Sequence, residues 1–277
     1  MQSTMRYTSL LLALALTLPC DGAITYFDSA SNPADNGANT GTVCSSDVCP
    51  AVTPPASMAT GDLVILYAST RDISGQSYAM EQTSGQTWNT ITACASTSNA
   101  VSSGIFWARF NGTWGSDPSI RVVSGTGAWS IIMHVFRPTT GTNTWAVDQV
   151  ISCNNYAAPT CSPNCTITIT GQNTTQADTV TLGIWATSDD NSWDTLTGSG
   201  WTVTGTAQYR NTSGNDLSAS FAHKIQTSAA ATGSPTKDQT VNGPDGGFTA
   251  IFSFYESGAP STALKDRIGR GIIPVAR

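Results

Sequence analysis

One acidic stretch holds the densest group of possible metal ligands in this chain. Residues 187–194 are predicted to form a loop, and three carboxylates and an amide lie within six positions there: Asp189, Asp190, Asn191 and Asp194. Carboxylate and amide oxygens are the ligands that Ca²⁺ prefers, although the spacing is not that of an EF-hand. The sequence therefore predicts a Ca²⁺ site here. An Asx-rich turn is the alternative interpretation of the same residues.

Two tryptophans fall in predicted loops and could bind sugars. Trp193 stands beside Asn191 and the acidic residues, and Trp114 follows the turn signal Asn111-Gly112. An indole ring on a loop can stack on a sugar while neighbouring amides and carboxylates bind its hydroxyl groups. We therefore predict ligand-binding roles for Trp193, Asn191 and Trp114. The alternative is that the two rings cover the end of a hydrophobic core. The remaining strand tryptophans are predicted to be core residues: Trp88, Trp107, Trp129, Trp185 and Trp201.

Catalytic patterns are missing from the sequence. Nucleophilic catalysis needs a Ser or Cys beside a His base, but the chain has only His134 and His223, and both lie in apolar strand patterns typical of core positions. The motifs GxSxG and HExxH do not occur. The only glutamates, Glu81 and Glu256, have no acidic companion nearby. We therefore predict a protein that is not an enzyme, with a hydrolase built on Asp residues as an alternative.

The amino-terminal residues are typical of an export signal. Arg6 is followed by the apolar run from Leu10 to Leu18, which is too short to span a bilayer. Cleavage before Ala23 is predicted, and lipidation of Cys20 is disfavoured because Pro19 precedes it. The mature chain is predicted to be secreted, without an integral membrane segment. Its net charge of -6 argues against nucleic-acid binding.

Six cysteines remain after the predicted cleavage. An even number in an exported chain favours disulfides over metal binding. Cys44 with Cys49 and Cys161 with Cys165 are each predicted to close a local loop. This leaves Cys94 and Cys153 to pair with each other. Zinc is the alternative, but neither close pair has the CxxC-like spacing of a zinc site.

Two similar apolar stretches organise the chain. Residues 61–70 read GDLVILYAST, and residues 177–187 read ADTVTLGIWAT. Each follows a close cysteine pair, and each precedes a Trp-Thr strand and a closing aromatic strand. Val, Ile, Thr and aromatic residues favour strands, and Gly, Asn and Pro mark turns between them. The sequence therefore predicts an all-β protein, an antiparallel β-sandwich of jelly-roll-like or Ig-like type, built from two repeats and stapled by disulfides.

The two apolar stretches differ in their predicted burial. Leu63 to Ala68 is apolar at every position, which predicts a central strand covered on both faces. Val180, Leu182 and Ile184 alternate with polar or small residues, which predicts one buried face. A loop is predicted through Gly75 and Gly85.

The domain prediction divides the chain into four segments. They are a signal peptide at 1–22, repeats at 23–138 and 144–256, and a basic tail at 257–277. Each repeat could fold alone, or both could interleave in one sandwich, which the short linker favours. The tail could be a disordered end, or it could serve self-assembly by docking on a neighbour.

The pattern resembles a loosely defined group of repeat β-sandwich proteins found in phage particles and secreted bacterial proteins. The resemblance rests on the Gly-Asp-Leu strand at 61–63, the Trp-Thr strands around Trp88 and Trp201, and the aromatic strands around Trp107 and Trp129. It implies no catalytic residues.

These features together predict a surface protein. The favoured function is adhesion or recognition, including glycan binding, by an exported or virion-displayed β-sandwich. The alternatives are a structural subunit of an extracellular filament, surface layer or virion that assembles through the tail, and a polysaccharide hydrolase that uses Asp residues.

Overall fold

The computed structural model describes residues 23–42, 49–71, 76–95, 101–122, 126–157, 164–240 and 245–257. These residues form sixteen β-strands and no helix, which confirms the all-β prediction. The described residues therefore include no helix that could cross a membrane. The strands are β1 (Thr25–Asn32), β2 (Thr40–Thr42), β3 (Leu63–Arg71), β4 (Tyr78–Gln82), β5 (Asn89–Ala95), β6 (Val101–Arg109), β7 (Ser119–Val122), β8 (Thr126–Arg137), β9 (Thr144–Tyr156), β10 (Asn164–Thr168), β11 (Thr179–Thr187), β12 (Ser192–Thr197), β13 (Thr202–Asn211), β14 (Leu217–Gln226), β15 (Thr236–Thr240) and β16 (Gly247–Ser257).

Two large sheets dominate the fold. Sheet 1 has the order β1-β8-β3-β6-β5, with β2 pairing at the side of β8, and sheet 2 has the order β9-β16-β11-β14-β13. The pair β4-β7 and the three-stranded sheet β10-β15-β12 are smaller. All of these strand pairs are antiparallel.

Sheet 1 and sheet 2 share one hydrophobic core, here called the central core. Its members include Leu63, Ile65, Tyr67, Ile105 and Phe136 of sheet 1, and Val180, Leu182, Phe221, Phe252 and Phe254 of sheet 2. Side chains alternate along a strand, so the other face of each large sheet needs its own cover. Sheet 1 and the pair β4-β7 enclose a first outer core, and sheet 2 and the sheet β10-β15-β12 enclose a second.

This layering explains the burial of the two apolar strands. In β3, Leu63 lies in the central core and Val64 in the first outer core, so burial on both faces is confirmed. In β11 every residue is buried, so the prediction of one buried face is wrong. The buried hydroxyl of Thr181 is satisfied by Ser253 Oγ at 2.7 Å, which allows a polar residue to face the covering sheet.

Two strands that cover the outer cores, β4 and β12, were not predicted from the sequence. The predicted loop through Gly75 and Gly85 contains β4, and the predicted acidic loop runs into β12. Both strands are short, and several of their side chains are exposed or half-buried. Their apolar content is therefore too low for a strand pattern to stand out.

Side chains join the two large sheets at both of their ends. Where β3 and β11 end, Arg71 Nη1 donates to the Asp216 carbonyl oxygen at 2.7 Å, and Arg210 pairs with Asp35 at 3.0 Å. This is the acidic end. Where the two strands begin, the buried carboxylate of Glu256 on β16 accepts hydrogen bonds from the backbone N–H of Thr139, which follows β8, at 2.5 Å and from Asn143 Nδ2 at 2.6 Å. This is the linker end, because residues 138–143 connect the two halves there.

Disulfides also follow the prediction where the residues are described. Cys94 on β5 and Cys153 on β9 are bonded, with their Cα atoms 5.6 Å apart. Cys49 and Cys165 are also disulfide-bonded. Their predicted partners Cys44 and Cys161 lie outside the described residues, as do the predicted signal peptide and residues 258–277.

Candidate functional site

Three carboxylates meet at the acidic end. Asp189 and Asp190 follow β11, and Asp216 precedes β14. Because Thr187 pairs with Ser218 in the antiparallel register, the residues beyond these two strand ends become neighbours. One carboxylate oxygen from each of the three lies within 4.8 Å of the others. The structure therefore brings Asp189 and Asp190 of the predicted ligand set close to Asp216 of a second loop.

The predicted ligand set is only partly assembled. Asn191 is half-buried next to Asp190, but Asp194 lies on β12 with an exposed side chain, where its charge acts on Lys237. Asp194 therefore lies outside the close group of Asp189, Asp190 and Asp216, because the loop becomes a strand at Ser192.

Two acidic residues of this end were missed by the sequence argument. Asp216 and Asp245 lie far along the chain from Asp189, in front of β14 and β16. Both of those strands pair with β11. Because β14 and β16 run antiparallel to β11, the residues that precede them lie beside the residues that follow β11. Knowledge of this strand order would have predicted the positions of Asp216 and Asp245.

Asp189 is the carboxyl of the cluster whose pKa is raised. Burial raises its pKa to about 6, and a hydrogen bond with Asp245 and the charges of Asp216 and Asp245 act in the same direction. Arg71 partly offsets the charge, because Nη1 donates to Asp216 Oδ1 at 3.1 Å. Close carboxylates suit a hard cation. A carboxyl with a raised pKa beside a second carboxyl is also an arrangement that glycoside hydrolysis uses.

The Ca²⁺ prediction can be tested by thermal unfolding. If Ca²⁺ binds this cluster, an excess of about 100 times Kd should stabilise the mature protein by about 2.7 kcal/mol. The variant Asp189→Asn should lose most of this gain. The gain should also shrink below about pH 6, because the cation must displace the Asp189 proton.

Asp194→Asn is the matched control for that experiment, since it removes the same charge outside the cluster. It should keep the Ca²⁺ response. Equal responses of wild type and Asp189→Asn would exclude Asp189 as a ligand.

Trp193 does not occupy the exposed loop position that was predicted. It lies on β12 with 4% of its surface exposed, in the second outer core. Its Nε1 donates to Ser218 Oγ at 3.0 Å. The prediction of a loop position is wrong because Trp193 faces inward on a covering strand, and its ring is not open to a sugar.

Trp114 is found on a loop, as predicted, and it has an aromatic neighbour that the sequence did not indicate. Its ring stacks on Phe110 with centroids 4.9 Å apart and on Trp88 with centroids 6.5 Å apart. Trp88 was predicted to be a core strand residue, but it precedes β5 and is half-buried. Phe110, Trp88 and Trp114 form the aromatic patch, which lies at the linker end.

Side-chain hydrogen bonds hold the two loops of the aromatic patch together. Gln86 Nε2 donates to Asn111 Oδ1 at 3.1 Å and to the Thr113 carbonyl oxygen at 2.7 Å. Gln86 Oε1 accepts from the Asn111 backbone N–H at 2.9 Å. Trp88 Nε1 donates to the Thr83 carbonyl oxygen at 2.9 Å. The Trp88 and Trp114 rings are therefore held in place before any ligand arrives, which reduces the entropy cost of binding.

Both histidines are core residues, as predicted. His134 and His223 are 1% and 7% exposed. Among the described residues neither nitrogen of His134 has a hydrogen-bond partner, so His134 forms no pair with a nucleophile there. The prediction that the protein is not an enzyme stays a prediction.

Comparisons with known proteins add no family to this description. The chain matches no protein-family model, no curated protein and no solved structure.

Proposed function

We propose that this protein is an exported recognition module that binds carbohydrate through the aromatic patch. The observation that carries the proposal is the stacked pair Trp88 and Trp114, half-buried on two loops that Gln86 fixes to each other. Sugar rings present C–H faces that stack on indole, and hydroxyl groups that need polar partners at the rim. The exposed side chains of Asn89 and Thr113 lie beside the two tryptophans in sequence and supply such groups.

The proposal includes an architecture of two repeats in one β-sandwich. Its support is the strand order, since β1-β8-β3-β6-β5 and β9-β16-β11-β14-β13 become identical when eight is subtracted from each label of the second sheet. The pairs β4-β7 and β12-β15 correspond in the same way. The shared central core supports two interleaved repeats over two separate domains.

Export is part of the same proposal. Disulfides persist in oxidising compartments and are rare in the cytosol. Cys49, Cys94, Cys153 and Cys165 are all disulfide-bonded, which supports an extracellular or particle-surface location together with the signal-like amino terminus.

A glycan array probed with the mature protein tests the proposal. We expect binding to one group of glycans, weakened at least about tenfold by Trp88→Ala or Trp114→Ala, since removing an aromatic anchor typically costs more than 1 kcal/mol. Thermal unfolding of each variant checks that the fold survives.

Asp189→Asn is the control for the array because it lies at the opposite end of the sheets. It should bind as wild type does. Absence of glycan binding, or equal binding by both Trp variants, would contradict the aromatic patch as the site. Cleavage of a bound glycan that Asp189→Asn abolishes would instead favour the hydrolase alternative.

The position of the first and last strands favours a second candidate, a structural subunit. Thr25 at the start of β1 pairs with Arg137, and Ser257 at the end of β16 pairs with Thr144, so both lie at the linker end. A protein held by this end would turn its acidic end outward. Comparing the assembly of the full chain with that of a chain ending at Ser257 separates the two candidates, because a recognition module should keep glycan binding after truncation.

A further inference from the structure

Each of the two histidines of the chain lies on one large sheet and faces the other large sheet inside the central core. His134 lies on β8 of sheet 1, and His223 lies on β14 of sheet 2. We propose that this pair forms an acid-sensitive latch, in which proton uptake by His134 and His223 drives sheet 1 and sheet 2 apart. The inference goes beyond the proposed function and does not depend on it.

Each imidazole contacts aromatic residues of the opposite sheet. The His134 ring lies 4.6 Å from the Phe221 ring, between centroids, and Phe221 belongs to sheet 2. The His223 ring stacks on Tyr26 at 5.4 Å and meets Phe136 edge-on at 5.4 Å, and both of these belong to sheet 1. A positive charge on either imidazole would therefore be buried in the interface between the two sheets.

The strand residues that pair with the two histidines carry no carboxylate. The strand neighbours that pair with His134 are Ser29 on β1 and Ile65 on β3. Those that pair with His223 are Leu182 on β11 and Thr202 on β13. The titratable groups facing the pair from the packed elements are the other histidine, Tyr26 beside His223, and Tyr67 beside Phe221.

Nearby charged side chains are directed elsewhere. Lys224 follows His223, but its Nζ donates to the Thr232 carbonyl oxygen at 3.0 Å. Asp28 acts on Tyr26 and is exposed. Burial lowers the pKa of both imidazoles, and the charge of His223 acts in the same direction on His134.

The direction of the pH effect follows from burial. Burial, with the charge of His223, lowers the pKa of His134 to about 3, and burial lowers the pKa of His223 to about 4. The ordinary value is about 6.5. Below pH 6.5 the opened state therefore binds protons that the closed state does not bind, and the closed state loses stability until the pH reaches about 4 for His223 and about 3 for His134.

Two such groups give a steep response. Two extra protons in the opened state change the ratio of open to closed molecules by up to about 100-fold for each pH unit. Between about pH 7 and pH 5 the change is on the order of 500-fold. Asp189 works in the opposite direction, because its raised pKa lets the closed state bind a proton in the same range. The experiment therefore uses Asp189→Asn as its background.

The test compares hydrogen exchange and proton uptake in the Asp189→Asn protein, with and without His134→Leu and His223→Leu. Amide exchange in β8 and β14, corrected for the intrinsic effect of pH, should speed up steeply on acidification from about pH 7 to pH 5. Leucine can take the place of His134 without breaking a hydrogen bond of that side chain to any described residue. Thermal unfolding at pH 7 checks that the double variant folds, and the acid response of a folded double variant should disappear.

Calorimetric unfolding near pH 5.5 in buffers of different ionisation enthalpy provides a measurement that needs no histidine variant. Uptake of about two protons on unfolding supports the latch, because His134 and His223 are the only histidines. Uptake of less than one proton overturns it. So does a double variant whose β8 and β14 amides respond to acid as the background does.

Discussion

The variant Phe221→Ala is expected to lower the free energy of unfolding by about 3–5 kcal/mol, the usual loss for a buried Phe reduced to Ala. Phe221 lies on sheet 2 with 0% of its surface exposed. Its ring meets Tyr67 edge-on at 5.3 Å and lies 4.6 Å from His134, and both partners belong to sheet 1. The cavity would therefore open between the two sheets, where neither sheet can relax alone to fill it.

Urea unfolding followed by circular dichroism and by tryptophan fluorescence measures this effect. Because both large sheets contribute to the central core, we expect one transition in both signals, shifted to lower urea with the same slope. Phe221→Leu is the matched control and should cost less than about 1.5 kcal/mol, since it keeps most of the buried volume. Two separate transitions would show that the two sheets unfold independently and would contradict the proposal of one interleaved sandwich.

Removal of the disulfide between β5 and β9 is the second change with a large expected effect. The variant with Cys94→Ala and Cys153→Ala should be less stable by about 4 kcal/mol. The bond closes a segment of 59 residues, and loop-closure entropy of the unfolded chain gives this magnitude. The bond joins the edge strand of sheet 1 to the edge strand of sheet 2, so its loss should also allow the two sheets to separate more often on this side.

The double variant is preferable to a reducing agent because Cys49 and Cys165 are also disulfide-bonded. Chemical unfolding gives the stability change, and hydrogen exchange of β5 and β9 reports local opening. A loss below about 1 kcal/mol would mean that the packing of the two edge strands holds them together without the covalent link.

The sequence contained enough information to predict most strands of the large sheets. Runs such as 61–70 and 177–187 are rich in Val, Ile, Leu and Trp because their strands lie between two covering layers. The covering strands β4 and β12 could not be recognised in the same way. Each buries fewer side chains, and its partners β7 and β15 come from distant parts of the chain.

The candidate sites show a similar division. Local sequence placed Asp189 beside Asp190, but Asp216 and Asp245 join them only because β14 and β16 flank β11. In the same way Trp88 meets Trp114 only because the loop before β5 lies against the loop after β6. Spacing along the chain carries no information about such neighbours, since strand pairing sets them.

Sequence reasoning was sufficient for the all-β class, the core character of the histidines and the pairing of Cys94 with Cys153. Each of these depends on residue type and on the order of residues along the chain. The three-dimensional packing was needed to learn that Trp193 is enclosed, that Trp88 and Trp114 stack, and that His134 and His223 lie between two sheets. The physical reason is that a strand shows which side chains share a face, whereas the layer packed against that face decides what they meet.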